Sequence, residues 1–250
     1  MSLLSMRLRQ GCQYIPDVRR AVVHPKFRGF PIIDGSKCDT AALKDVCPAG
    51  AIRMDPLSID MGKCVFCGDC ERACPNAIHF SNFHKLAADS REGLIVKSGA
   101  THDTFYPNAV RVRKGIKRIF GRSLKLRSVS AGGCNACELE LSASMNVNFD
   151  IGRFGIDIVA SPRHADGIII TGPIPEHMAS ALEDTMRAIP EPKMMILFGS
   201  CAISGGVFAS SKALDREFID KNPIALYVSG CPVHPLTFVN GMLDMLGRLS

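Results

Sequence analysis

Residues 62–78 of the 250-residue chain read GKCVFCGDCERACPNAI, which places Cys64, Cys67, Cys70 and Cys74 ahead of Pro75. The C-x2-C-x2-C-x3-C-P spacing presents soft thiolates for iron-sulfur chemistry, and in two-cluster arrangements the fourth cysteine of such a run ligates the other cluster. A run of this kind therefore needs a second copy. Residues 36–52, SKCDTAALKDVCPAGAI, keep Lys37, Cys38, the Cys47-Pro48 pair and Ala51-Ile52, but no cysteine stands between Asp39 and Val46. Ligand exchange groups Cys47 with Cys64, Cys67 and Cys70, the four thiolates that a 4Fe-4S cluster needs. The reciprocal site retains Cys74 and Cys38, with Cys12 as the nearby further cysteine. It is two ligands short and is expected to be empty, its cysteines serving as small buried hydrophobes. Zinc also accepts four thiolates, but zinc sites pair two C-x2-C knuckles across a longer spacer.

A second set lies further along the chain. Residues 129–141, VSAGGCNACELEL, carry Cys134 and Cys137. Alone, C-x2-C suits redox dithiols and zinc knuckles equally well. Downstream, FGSCAISGG contains Cys201 and SGCPVHP contains Cys231, each after an apolar segment and beside glycines that permit close backbone approach. Together these four thiolates form another cube-binding set.

The elements that must position these residues differ between the two halves. From about residue 30 to 80 the segments are short, turn-rich and built around Cys-Pro pairs. From Asp150 onward, apolar segments such as ADGIIITGP, KMMILFGSC and ALYVSGCP alternate with helical ones such as EHMASALEDTMRAI and PLTFVNGMLDMLGRL. Strands without polar alternation, separated by amphipathic helices, predict a parallel sheet covered on both faces. Ligands of such sheets bind at the carboxyl ends of the strands, where Cys201 and Cys231 fall.

Composition agrees with a folded chain: 46% of residues are apolar and 22% charged. No signal peptide and no run of about 18 apolar residues is evident, so a cytoplasmic location is expected, with membrane contact only through partners. Eleven cysteines in a reducing compartment point to metal ligation in place of disulfides. The net charge of +6 is concentrated in RVRKGIKRIFGRSLKLR, which holds eight basic residues from Arg111 to Arg127. With Phe120 its one aromatic, this run predicts a solvated linker or a patch for an acidic surface or lipid headgroups, and no nucleic-acid binding.

GCQYIP, HPKFRGFPIID and the two cysteine runs together resemble the 8Fe ferredoxin-type subunit of complex I and of membrane-bound NiFe hydrogenases, although half of the first run is missing. Residues 128 to about 249 resemble the small, 20 kDa-type subunit of the same complexes. Complex I subunits of that type carry adjacent cysteines and the phrase SPRQAD. Here Cys134 and Cys137 are separated by Asn135 and Ala136, and residues 161–173 read SPRHADGIIITGP, both of which side with the hydrogenases. Val233 departs from the usual GCPP.

The resemblance implies an α+β ferredoxin-like domain with an N-terminal arm (1–110), a basic linker (111–127) and an α/β flavodoxin-like domain with a parallel sheet (128–250). It implies two 4Fe-4S clusters that pass electrons from a donor, such as a formate dehydrogenase or ferredoxin, to a NiFe-type large subunit. Membrane-arm subunits would hold the complex peripherally on the inner face of the cell membrane. Glu138 would relay protons to the large subunit or stabilise a helix start, and Arg163 and His164 would contact the cluster, a partner or the fold itself. The alternatives are the equivalent subunit of a complex I-like quinone reductase, and a zinc or nucleic-acid-binding module.

Overall fold

The apolar segments after Asp150 become strands whose successive side chains enter two different cores. In the computed structural model, which describes residues 2–11, 13–37, 40–112 and 114–248, the first region contains helix α1 (Leu3–Gln10) and strands β1 (Pro31–Ile33), β2 (Ile52–Met54) and β3 (Leu57–Asp60). Helix α2 (Asp69–Ala73), strands β4 (Ile78–Phe80), β5 (Ala87–Ala88) and β6 (Ile95–Lys97), and helix α3 (His102–Ala109) complete it. The second region begins with α4 (Lys114–Phe120), β7 (Leu124–Ser130), α5 (Ala136–Ser144), β8 (Ile156–Ile158) and β9 (Gly167–Thr171). It continues through α6 (Glu176–Ala188), β10 (Met194–Phe198), α7 (Ser200–Ser204), α8 (Glu217–Lys221), β11 (Ile224–Val228) and α9 (Pro235–Leu246). Cys12, Cys38 and Arg113 lie outside the described residues.

A six-stranded sheet orders its strands β5-β11-β10-β9-β7-β8, and all neighbours are parallel except β5 against β11. Taken alone, the parallel strands run second, first, third, fourth, fifth, which is the doubly wound order of flavodoxin-like sheets. Strands β9 and β10 are buried at every residue. Ile168, Ile170, Met195 and Leu197 enter one core, whereas Ile169, Met194, Ile196 and Phe198 enter the other. A strand covered on both faces has no use for polar alternation, which explains the continuous apolar texture.

Helix α9 fills the second core, with Pro235 to Leu243, Met245 and Leu246 buried. A helix apolar on all sides must be enclosed on all sides. The N-terminal arm completes the enclosure: Val18 is fully buried, and the Asn240 amide donates to the Val18 carbonyl at 3.0 Å. Arg19 pairs with Asp244, which also accepts a 2.8 Å hydrogen bond from the Tyr106 hydroxyl.

The first region contains a three-stranded antiparallel sheet, β2-β3-β6, and a two-stranded one, β1-β4. The two regions are not independent. Strand β5 belongs to the first by sequence yet closes the edge of the large sheet at β11, and Ile59, Met61 and Leu94 share a core with Ile168, Leu197 and Ile203. The basic run divides between elements: α4 spans Lys114–Phe120, the Phe120 ring is buried, and β7 begins at Leu124. Arg248 caps this helix by donating to the Phe120 and Gly121 carbonyls at 2.9 and 2.7 Å.

Asp60, 2% exposed, joins the first region's loops. Its amide donates to the Ala51 carbonyl and its own carbonyl accepts from the Cys64 amide, while its carboxylate receives both Arg91 guanidinium nitrogens at 2.7 and 2.6 Å. Removing one partner of such a buried pair strands the other charge. Arg91→Ala is therefore expected to destabilise the protein by about 3 kcal/mol or more. Denaturant unfolding measures it, and a loss below about 1 kcal/mol, the level of an exposed pair, would contradict the assignment.

Candidate metal centres

After β3 the chain turns through Met61 and Gly62, and left-handed conformations at Phe66 (φ 55°) and Gly68 (φ 80°) wind it into α2. This path points Cys64, Cys67 and Cys70 toward one hollow. Cys47 reaches the same hollow from the preceding loop, and Ile52, Ile59 and Phe80 line it with them. The space left between these side chains is narrow, about 10 Å³. Backbone amides face the sulfurs, with the Ala51 N–H 3.2 Å from Cys47 Sγ and the Phe66 N–H 3.3 Å from Cys64 Sγ. Cys74 takes a different place. It is buried at the end of α2, with its amide bonded to the Cys70 carbonyl at 2.9 Å, and it does not line the hollow.

The second hollow opens at the carboxyl edge of the large sheet. Cys134 and Cys137 follow β7, Cys201 lies in the first turn after β10, and Cys231 follows β11. These four thiols line a cavity of about 200 Å³, together with Gly133, Glu138, Gly172, Ser200 and Gly230. Position 199 requires glycine twice over: its φ is +95°, and a Cβ there would stand 2.6 Å from Cys137 Sγ. Asn135, left-handed at φ 67°, starts α5 between the paired cysteines.

Burial sets the electrostatics of both hollows. It pushes the Cys64 thiol up to about 12, Cys70 to about 11 and Cys137 to about 12, against the opposing pull of backbone N–H groups. Cys201 is also raised by burial, while the Arg216 guanidinium draws it down. That arginine is itself largely buried, and it donates to the Pro173, Ala202 and Ile203 carbonyls at 3.1, 2.7 and 2.9 Å. Nothing in the local sequence ALDREFID marks Arg216 as a neighbour of the site.

Glu138 lies in the first turn of α5 and accepts hydrogen bonds from Ser130 Oγ at 2.5 Å and Thr171 Oγ1 at 2.6 Å. Burial raises its pKa, but the two hydroxyls outweigh that and hold it below the usual carboxylate value. Its second oxygen is buried and has no hydrogen-bond partner among the described residues. Arg163 and His164 are exposed and line neither cysteine hollow.

Thiols raised by burial, as Cys64, Cys70, Cys137, Cys201 and Cys231 are, resist ionisation unless a cation compensates them, which is the electrostatic requirement of a metal centre. Among the described residues, no three Cys, His, Asp or Glu side chains converge closely enough to share one metal ion. Four cysteines line each hollow, and four thiolates are the donor set that a 4Fe-4S cluster takes. The donor chemistry fits a 4Fe-4S cluster in both hollows.

Comparison with known proteins agrees with this division. Residues 57–78 match the 4Fe-4S binding domain, and residues 134–245 match the family described as NADH ubiquinone oxidoreductase, 20 Kd subunit. The chain is 32% identical over 133 residues to the probable membrane-bound hydrogenase subunit mbhJ of Pyrococcus furiosus, covering 53% of this chain and 80% of that protein. It is 38% identical over 129 residues to formate hydrogenlyase subunit 7 of Escherichia coli, covering 52% of this chain and 51% of that one. With an NADH-quinone oxidoreductase subunit of Heliobacterium modesticaldum the identity is 38% over 121 residues, covering 48% and 69% respectively. The chain belongs to the family of the 20 kDa subunit of NADH ubiquinone oxidoreductase, and it carries in addition a 4Fe-4S binding domain.

Proposed function

We propose that this chain is the iron-sulfur electron-transfer subunit of a membrane-associated hydrogenase-type complex, with a ferredoxin-like N-terminal domain and two 4Fe-4S clusters. Cys47, Cys64, Cys67 and Cys70 hold the first cluster, and Cys134, Cys137, Cys201 and Cys231 hold the second. The observation that carries this reading is the pair of hollows, each lined by four thiols, within one folded unit. When bound, such clusters take up and release single electrons at potentials set by charge, burial and hydrogen bonds to sulfur. The chain supplies those controls: the Ala51 and Phe66 amides at the first hollow, and the Arg216 guanidinium at the second.

The separated Cys134 and Cys137 favour a hydrogenase-type assembly over a quinone reductase. Its other parts would be a NiFe-type large subunit, membrane-arm subunits and a donor such as a formate dehydrogenase or ferredoxin. Among the described residues no helix is long and apolar enough to cross a membrane, so membrane-arm partners would supply the attachment. The exposed cations of α4 present a surface to them. Anaerobic purification of the native complex, followed by nickel analysis and hydrogen-dependent dye reduction, tests the assembly. A nickel-free complex that reduces quinone instead would reject the hydrogenase reading.

Three predictions concern the cluster sites. The native chain should bind about eight irons. In a Cys134→Ser background, which isolates the first site, Cys47→Ser should abolish the remaining cluster, whereas Cys74→Ser should leave its electron paramagnetic resonance spectrum and iron content nearly intact. A cluster that survives loss of Cys47 but disappears with Cys74 would overturn the crossed assignment. Gly199→Ala, which drives a methyl group against Cys137 Sγ, should lower iron from about eight to about four per chain while preserving the first site's spectrum. Retention of both spectra would show that the second hollow tolerates this displacement.

A further inference from the structure

The elements that carry the two hollows pack together along a buried seam. On one side is the turn Met61–Cys64 that opens the first cysteine run. On the other are the first turn of α7 and the loop after β11. A Cβ added at Gly62 would stand 2.8 Å from Ile203 Cγ2 and 2.8 Å from an Arg91 nitrogen, so a side chain there would displace one or both of them. Two hydroxyls, each 1% exposed, close the seam: Ser200 Oγ donates to the Cys64 carbonyl at 2.6 Å, and Ser229 Oγ donates to the Met61 carbonyl at 2.6 Å.

The two serines are alike in burial and bond length but not in position. Ser200 is covalently joined to Cys201, and its amide donates to the carbonyl of Gly230, the neighbour of Cys231, at 3.0 Å. A single hydrogen bond therefore completes a bonded route from Cys64, a thiol of the first hollow, through Ser200 to Cys201, a thiol of the second. Ser229 is two residues from Cys231 and its acceptor is three residues from Cys64, so its bond clamps the same seam without joining cysteine to cysteine.

Resting on the two-cluster reading above, we propose that Ser200 is a positioning residue for electron passage, its hydroxyl coupling the Cys64 side of the first centre to the Cys201 side of the second. With clusters held by the two cysteine sets, one electron would leave the first centre and enter the second with no covalent bond or proton changing hands, and Ser200 would hold the two backbone segments in register for it.

The test uses the native complex with Ser200→Ala and, as the matched clamp control, Ser229→Ala. Iron analysis establishes that both centres are present, electron paramagnetic resonance reads the magnetic interaction between the two reduced centres, and flash photoreduction reads the rate at which the second centre follows the first. Ser200→Ala should keep about eight irons and both individual spectra, yet show a diminished interaction and a severalfold slower transfer. Ser229→Ala should match the wild type in both. Unchanged interaction and rate in Ser200→Ala, or equal slowing in Ser229→Ala, would overturn the proposal. If Ser200→Ala does not assemble, Gly62→Ala opens the same seam with Ser200 in place and should slow transfer, and a wild-type rate in that variant would be equally contrary. A wild-type chain with only about four irons would refute the two-cluster reading itself, a result distinguishable from failure of the serine comparison.

Discussion

A thiol deprived of water resists ionisation, and that resistance governs how both hollows are built. Burial, reinforced by the neighbouring thiols, drives Cys64 and Cys137 up to about 12 even with backbone amides facing them, far from where a metal-binding thiolate is available at neutral pH. Backbone amides aimed at the sulfurs recover part of that loss, and a bound cation must supply the rest. The surroundings present N–H groups to several of the sulfurs, although Asp69 lines the first hollow and Glu138 the second. The carboxylate nearest the second hollow, Glu138, has one oxygen held by Ser130 and Thr171.

The requirement to bring four sulfurs together is met differently in the two halves. In the second, the parallel sheet does it by topology: β7, β10 and β11 end on the same edge, so loops far apart in sequence deliver Cys134, Cys137, Cys201 and Cys231 to one place. In the first there is no such frame, and tight local winding at Phe66 and Gly68 takes its place. Asp60 organises that winding by holding the Cys64 amide, the Ala51 carbonyl and Arg91 at once. Local stability in the first half and cysteine geometry thus depend on the same buried residue, through its carboxylate and its backbone respectively.

Much of this was legible from residue patterns. The unalternating apolar texture of β9 and β10 follows from burial on both faces, and cysteine placement after apolar segments follows from the strand-end rule. The grouping of Cys47 with Cys64, Cys67 and Cys70, apart from Cys74, follows from the incomplete first run, and these four line one hollow. Other features depend on tertiary placement and leave no local trace. Strand β5 is two alanines, too short for a periodic signal, yet it closes the sheet edge. The basic stretch reads as a linker by charge, but Phe120 and the alternating Leu124 and Leu126 anchor it in helix and strand. Arg216 and Ser200 have ordinary sequence neighbours, and their importance comes from carbonyls far away in the chain.

The central claim, that one chain holds two multi-iron centres wired by four thiols each, is tested most directly by anomalous diffraction at the iron edge from crystals of the anaerobically purified complex. Two separate iron centres are expected in this chain, one among Cys47, Cys64, Cys67 and Cys70 and one among Cys134, Cys137, Cys201 and Cys231. A single metal ion in either hollow, or an iron centre bonded to Cys74, would contradict it.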